Sequence, residues 1–361
     1  MLGRIEIAAQ DSPLSGKDWK RILPGLLVSL LALAAVFTFA NIGQMLQALR
    51  LADYRLVLAA LLLSVVWLGV RAVFWRTLLQ EKATFDQVFF TITEGYLLNN
   101  VLPFRLGEVA RAFLLSQKAR LEFWEVLSSI LIERIFDLGL AAALLFGTLA
   151  FVVGADWAHQ AALGAGALVL VGLLALFLAA RYRERTLSLF KKISARWPLI
   201  DRLAGSRLPA FMAGLAVLTD GDLFLKAVFW VLLDWLIAIF QYYLLLLAFL
   251  PDAKFLWAAF SLGVAALGIA APSSPGALGV LEISIIGALA LFKVDPSVAL
   301  AFALTAHLFN YVVNGAIGAY ALARDGESLG GLYRQVRRIS SRGAPEIPPE
   351  EPPSEAPEET R

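Results

Sequence analysis

The sequence predicts an all-α fold: a polytopic transmembrane helical bundle with six full spans plus two oppositely oriented re-entrant hairpins, or with eight or so full spans. Three observations carry this. The chain is 59% hydrophobic and only 17% charged, against about 25% charge in a soluble domain, and its mean hydropathy is +0.73. Several apolar runs approach the roughly 20 residues that cross a bilayer, and none shows the two-residue alternation of barrel strands. Two apolar stretches are broken by proline and glycine beside carboxylates. Irregular backbone at membrane depth is tolerated only where protein or a water-filled cavity satisfies its polar groups.

Composition narrows the chemistry. There are no cysteines, which excludes disulfides, thiolate catalysis and Cys-ligated zinc. The two histidines, His159 and His307, fall in no ligand-spaced motif, so no metal and no cofactor is expected. The net charge of +2 hides an asymmetry, because residues 341–361 carry six Glu against two Arg, a net of −4 that leaves +6 on the rest. That excess sits in loops, where it signals topology rather than a nucleic-acid partner. No P-loop and no Gly-x-Ser-x-Gly elbow occurs.

Taken in order, residues 1–20 are a polar segment of mixed charge, and the first apolar run starts only at Ile22, so no cleaved signal peptide is expected. Residues 22–40 read as the first span, flanked by Trp19, Lys20 and Arg21, with Pro24 in its first turn where a missing N–H costs little. The basic flank predicts a cytoplasmic N-terminus. Residues 56–79 run back inward and end near Arg76 and Lys82. Arg71, a little over one turn before Arg76, reads as a snorkelling side chain. Residues 85–102 are shorter and hold Glu94, Asn99 and Asn100 before Pro103. A polar stretch, 105–125, follows with Arg111, Lys118 and Arg120. Lys82 and Arg111 both favour the cytoplasm, so this segment should enter and leave on one side, as a re-entrant hairpin does.

Residues 126–153 form the next span and contain Glu133-Arg134-Ile135-Phe136-Asp137; 154–160 make a short outer loop and 161–180 return inward. Residues 181–222 are the main polar loop, and 181–207 alone hold eight Lys/Arg against Glu184 and Asp201. This is either an amphipathic helix on the anionic leaflet or a solvated, topology-setting loop. Residues 223–250 are a long span with Asp234 in the middle. Residues 255–271 and 276–292, each about 16 or 17 long, sit at the short limit for spanning. Between them lies the break, 271–282, with Pro272, Pro275, Gly276, Gly279 and Glu282. Residues 296–323 are the last span, with His307, Asn310 and Asn314 at helical spacing. The chain thus divides into a cytoplasmic segment 1–20, a transmembrane domain 21–323 carrying the basic loop 181–222, and a cytoplasmic tail 324–361. The tail is basic, then acidic and Pro/Glu-rich, and is expected to be disordered. The charge bias predicts a multi-pass protein of the cell inner (cytoplasmic) membrane with both termini inside.

The candidate site is built on the breaks. The spans alternate consistently if one hairpin opens from the cytoplasm and the other from the outer face. In many transporters such inverted, discontinuous helices meet near the midplane. Helix starts after each break present free N–H groups and partial positive charge to an anion, and Arg105 and Arg111 add fixed charge suited to a phosphate. Glu108 and Glu282 then pair with an arginine, bind a headgroup amine or take a coupling proton; either could instead cap its helix. Glu133 and Asp137 share a helix face, with Arg134 beside Asp137. They either lock helices together or line a substrate path. Asp234 needs a partner, most naturally an arginine. For His307, Asn310 and Asn314 the plain structural alternative is interhelical hydrogen bonding.

These residues also carry a resemblance. Leu98-Asn99-Asn100-x-x-Pro103-x-Arg105-x-Gly107-Glu108-x-x-Arg111, Glu133-Arg134-x-x-Asp137 and Pro275-Gly276-x-x-Gly279-x-x-Glu282 resemble the membrane region of the lysylphosphatidylglycerol synthase family and its stand-alone integral membrane relatives. The likeness covers roughly residues 19–323. It implies a lipid flippase or transporter that binds an anionic phospho- or glycolipid in a central polar cavity. It argues against aminoacyl transfer, because the fused catalytic domain has no counterpart here. Some relatives are associated with glycosyltransferases, so a transferase partner, or an intramembrane enzyme using paired carboxylates, is the alternative.

Overall fold

The computed structural model describes residues 27, 29–36, 38, 40–101, 106–153, 156–197, 205, 207–270, 274–327 and 331–332. The expected N-terminal segment, part of the span expected at 22–40 and the acidic tail lie outside the described residues; residues 29–36 of that span are helical. Those described are almost all helical, with no strand among them: this is an all-α membrane bundle.

After the described part of the first expected span comes a short helix that the sequence reading missed, α1 (Ile42–Leu51). Asn41 caps it, its side chain accepting from the Gly43 and Gln44 N–H groups. Two long helices form the spine, α2 (Tyr54–Leu78) and α9 (Gly221–Phe249), capped by Asp53 and Asp220. They run antiparallel. Asp53 N–H meets the Ala248 carbonyl, Ser64 meets Gln241, and Arg71 meets Asp234. Leu225, Phe229, Leu232, Leu236 and Phe240 of α9 recur every three or four residues and are exposed. An outward apolar stripe at helical spacing is what a lipid-facing helix presents.

Between these come α3 (Phe85–Val101), α4 (Leu106–Ala119), α5 (Phe123–Val153), α6 (Asp156–Arg181), α7 (Arg183–Ser194) and α8 (Leu208–Gly214), the last running into a 3-10 turn at Leu215–Leu218. After α9 come α10 (Phe255–Ala270), a 3-10 turn at Pro275–Ala277, α11 (Val280–Ala290), α12 (Pro296–Phe309), a π-helical segment at Asn310–Asn314 and α13 (Gly315–Arg324). By length and composition Tyr54–Leu78, Gly221–Phe249 and Pro296–Arg324 can each cross a membrane. The 31-residue α5 is about 45 Å long at 1.5 Å per residue.

Both expected hairpins are helix–break–helix pairs. In the first, bonds link Gln87 and Glu94 to Lys118 and Asn99 to Gly107, so α3 and α4 are antiparallel and converge toward Val101 and Leu106. The stretch read as polar and following the hairpin is its return limb, with Ala110 to Ser116 buried. In the second, Trp257 stacks on Phe292 at 4.9 Å and Gly268 faces Ser284, so α10 and α11 converge on the second break. Each pair has its own apolar core. Phe74, Trp75, Ile92, Leu115 and Ile132 surround the first; Leu245, Ile285, Leu289 and Phe302 surround the second.

Candidate functional site

The first hairpin closes through small residues. The Asn99 side-chain carbonyl accepts from the Gly107 N–H at 2.9 Å, and its amide reaches Glu108 at 3.4 Å. A Cβ on Gly107 would fall on the Gly95 carbonyl oxygen and the Asn99 side chain, so only glycine lets the limbs approach this closely. The Asn100 amide nitrogen is buried with no partner among the described residues. Pro103 and Arg105 lie outside the described residues.

Below this joint four helices contribute to one charge network. Arg71 of α2 donates to Glu133 at 2.7 Å, to Asp137 at 2.9 Å and to Asp234 at 3.1 Å, with a second bond to Asp137. Arg111 of α4 donates to Glu133 at 2.7 Å and reaches Glu108 at 3.5 Å, while its guanidinium lies 4.0 Å from the Trp75 ring centre. Arg134 of α5 donates to Glu108 at 2.9 Å and to Glu133 and Asp137 at 3.3 Å. The Trp235 indole N–H also donates to Asp137. The network is sealed on one side and open on the other. Arg71, Arg111, Glu133 and Asp234 are buried, whereas the side chains of Glu108 and Arg134 are 19% and 31% exposed.

Two expectations are corrected here. Arg71 does not snorkel: its side chain is only 4% exposed, because three carboxylates from α5 and α9 hold it inside. Arg111 is no loop charge that marks a cytoplasmic flank, since Glu133 and Trp75 enclose it completely. Asp234 does have the arginine it requires, in Arg71.

The second break is a tight turn. Gly276 has φ +66° and Gly279 φ +81°, left-handed values that favour glycine. A Cβ on Gly276 would also strike the Tyr311 hydroxyl. Glu282 accepts from the Gly279 N–H at 2.7 Å, closing the start of α11. Its other oxygen lies 2.6 Å from His307 Nδ1, and His307 Nε2 lies 2.8 Å from the Gly276 carbonyl. The turn containing Pro275 packs against α3 of the first hairpin, so the two breaks are neighbours. They do not pool their charges, however. Among the described residues Glu282 pairs with His307 and with no guanidinium, while Glu108 is engaged by Asn99, Arg111 and Arg134. The polar stripe on the last span is likewise uneven. His307 bonds across helices, but Asn314 donates to Asn310 within its own helix, and Asn310 is exposed. Among the described residues, no group of three or more His, Cys, Asp or Glu is placed to hold a metal.

The sequence matches a known family. The profile described as lysylphosphatidylglycerol synthase TM region matches residues 22–318. The chain belongs to this family. Among its relatives, a UPF0104 membrane protein of Methanothermobacter thermautotrophicus is 28% identical over 310 residues, 81% of this chain and 90% of that protein. Glycosyltransferase AglD of Haloferax volcanii is 27% identical over 339 residues, 82% of this chain but 54% of AglD, so the chain spans about half of AglD's length. No solved structure matches the chain.

Sequence reasoning for a member of this family missed Arg71, Trp75, Trp235 and a second ion cluster. In that cluster Lys118 pairs with Glu94 at 2.6 Å and with Asp325. Arg71 was findable: Asp234 demanded a cation, and Arg71 is the one arginine well inside the span expected at 56–79.

Proposed function

We propose that this protein binds an anionic phospho- or glycolipid and moves its headgroup across the cytoplasmic membrane between the two broken elements, with both termini on the cytoplasmic side. The observation that carries this is the half-open rim formed by Glu108 and Arg134 over a sealed floor of paired charges, at the joint of a broken helix pair. A charge network serving only to lock helices has no need of an open edge. Arg134 offers a guanidinium to a phosphate, and Glu108 offers a carboxylate to a headgroup amine or hydroxyl. The acyl chains stay outside, against the apolar stripes. The sequence holds no P-loop, so the reading needs no nucleotide, and movement is downhill or ion-coupled.

The test is reconstitution of the full chain into vesicles carrying a fluorescent phosphatidylglycerol, a labelled polyprenyl phosphate or a labelled glycolipid. Acceleration of transbilayer movement for one of these, slowed about tenfold or more by Arg134→Gln, supports the proposal. No acceleration for any, with or without an ion gradient, overturns it.

A second reading is favoured by one observation, the likeness to half of glycosyltransferase AglD. On it the chain is the membrane part of a headgroup- or glycosyl-transfer system and presents the lipid to a partner. Co-purification with a transferase and lipid binding without translocation distinguish it.

A further inference from the structure

We infer that Glu282 and His307 form a proton-binding site whose bound proton latches the second broken helix closed. The inference follows from counting hydrogens between fixed heavy atoms. His307 Nε2 lies 2.8 Å from the Gly276 carbonyl oxygen, and His307 Nδ1 lies 2.6 Å from Glu282 Oε1. A carbonyl oxygen can only accept, and an ionised carboxylate can only accept. A neutral imidazole has one N–H, so it would leave a nitrogen lone pair facing an oxygen lone pair at one of the two contacts. One further proton removes the conflict. It sits on the ring, giving an imidazolium beside a carboxylate, or on Glu282, giving a neutral acid that donates to Nδ1.

Burial makes that proton matter. Glu282 and His307 are both buried. With the proton the pair is neutral; without it the pair is a net negative charge in an apolar interior, which is costly. The other titratable groups facing it are the phenols of Tyr311, whose ring lies 4.9 Å from that of His307, and Tyr242 of α9. Among the described residues no lysine, arginine or second carboxylate pairs with either group.

The pair ties the turn and the start of α11 to α12. Glu282 holds the Gly279 N–H at the start of α11, His307 holds the Gly276 carbonyl in the turn, and His307 itself belongs to α12. Three residues beyond it the helix changes to π geometry at Asn310–Asn314, a feature frequent at functional sites. The turn bears on α3 of the first hairpin, so its release is felt at the joint that carries Asn99 and Glu108. Loss of the proton sets Nδ1 against the carboxylate and frees the turn. In a lipid carrier this proton is the coupling ion; that use rests on the proposed transport, whereas the proton site does not.

The experiment therefore reads the site without transport. The chain has two histidines and no cysteine, so His159→Gln leaves His307 as the only ring to observe. Nitrogen-15 spectra of that ring are recorded from about pH 5 to 9, with infrared spectra compared against Glu282→Gln. An imidazolium signal supports the inference, and so does a protonated-carboxyl band lost in Glu282→Gln. A ring with one bare nitrogen and no such band across the whole range overturns it. The latch is read by the thiol-labelling rate of Ser274→Cys. The rate is expected to rise about tenfold as the pair loses its proton, as for an opening that gives up one charge-assisted hydrogen bond. That rise should vanish in His307→Gln. A rate that is flat with pH, or a profile unchanged in His307→Gln, overturns the latch.

Discussion

Arg71 and Asp234 face each other at 3.1 Å across the antiparallel helices α2 and α9. The same guanidinium reaches Glu133 and Asp137 on α5, so one side chain ties three helices at a single depth. Replacing Arg71 by Gln leaves the buried Asp234 without its cation, and leaves Glu133 and Asp137 to Arg111 and Arg134 alone. The expected loss is about 3–5 kcal/mol of stability, as for a broken buried ion pair. The double variant Arg71→Gln/Asp234→Asn should lose less than the sum of the two single changes. Thermal unfolding of the four proteins in detergent measures this.

Floor and rim should separate in their effects. Arg111→Gln strips Glu133 of its best partner inside the sealed part and should lower the unfolding temperature and lipid movement together. Arg134→Gln acts at the exposed edge and should slow lipid movement about tenfold with a clearly smaller change in unfolding temperature. Equal stability losses from both would contradict the distinction.

The approach of α3 to α4 gives a steric prediction. Gly107→Ala places a methyl against the Gly95 carbonyl and the Asn99 side chain. It should cost about 1–3 kcal/mol as an overpacking change, and Gly107→Val should cost more. Gly287 has nothing near its missing side chain, so Gly287→Ala is the neutral control.

The second ion cluster supplies a pH dependence. Burial opposes ionisation of Asp325, but the hydrogen bond and charge of Lys118 outweigh it and hold the carboxyl below its ordinary value. A lowered folded-state value means that the pair stabilises the protein fully above the unfolded value, about pH 4. The contribution disappears as pH falls through the folded value. Asp325→Asn should therefore cost about 0.5–1 kcal/mol at neutral pH, typical of a partly exposed pair. The difference from the unsubstituted protein should shrink toward zero below that window, as read by unfolding at a series of pH values.

Much of the fold was legible because apolar runs and Pro/Gly breaks act locally. The boundaries expected at 56–79, 223–250 and 296–323 fall within a few residues of Tyr54–Leu78, Gly221–Phe249 and Pro296–Arg324. Glu133, Arg134, Asp137 and Asp234 stood out because charges inside apolar spans are costly. The pairings were not legible. Whether Arg71 snorkels or is captured depends on α5 and α9 arriving beside it, which no local pattern encodes. The return limb α4 was hidden for a related reason. Its Arg111, Lys118 and Glu108 look like loop residues until their partners are in place. That Glu282 would meet a histidine rather than an arginine likewise depends on how α12 packs on α11.

The chain bends sharply between α6 and α7. The axis turns through 92° just beyond Arg181. If residues 166–181 stand upright in the lipid, then Arg183–Ser194 must lie flat, with Arg183, Arg185, Lys191 and Lys192 along it. An elbow set in that way would act as an outrigger, fixing how deep the bundle rides and opposing rocking about α6, with a hold that follows the density of acidic headgroups beneath it.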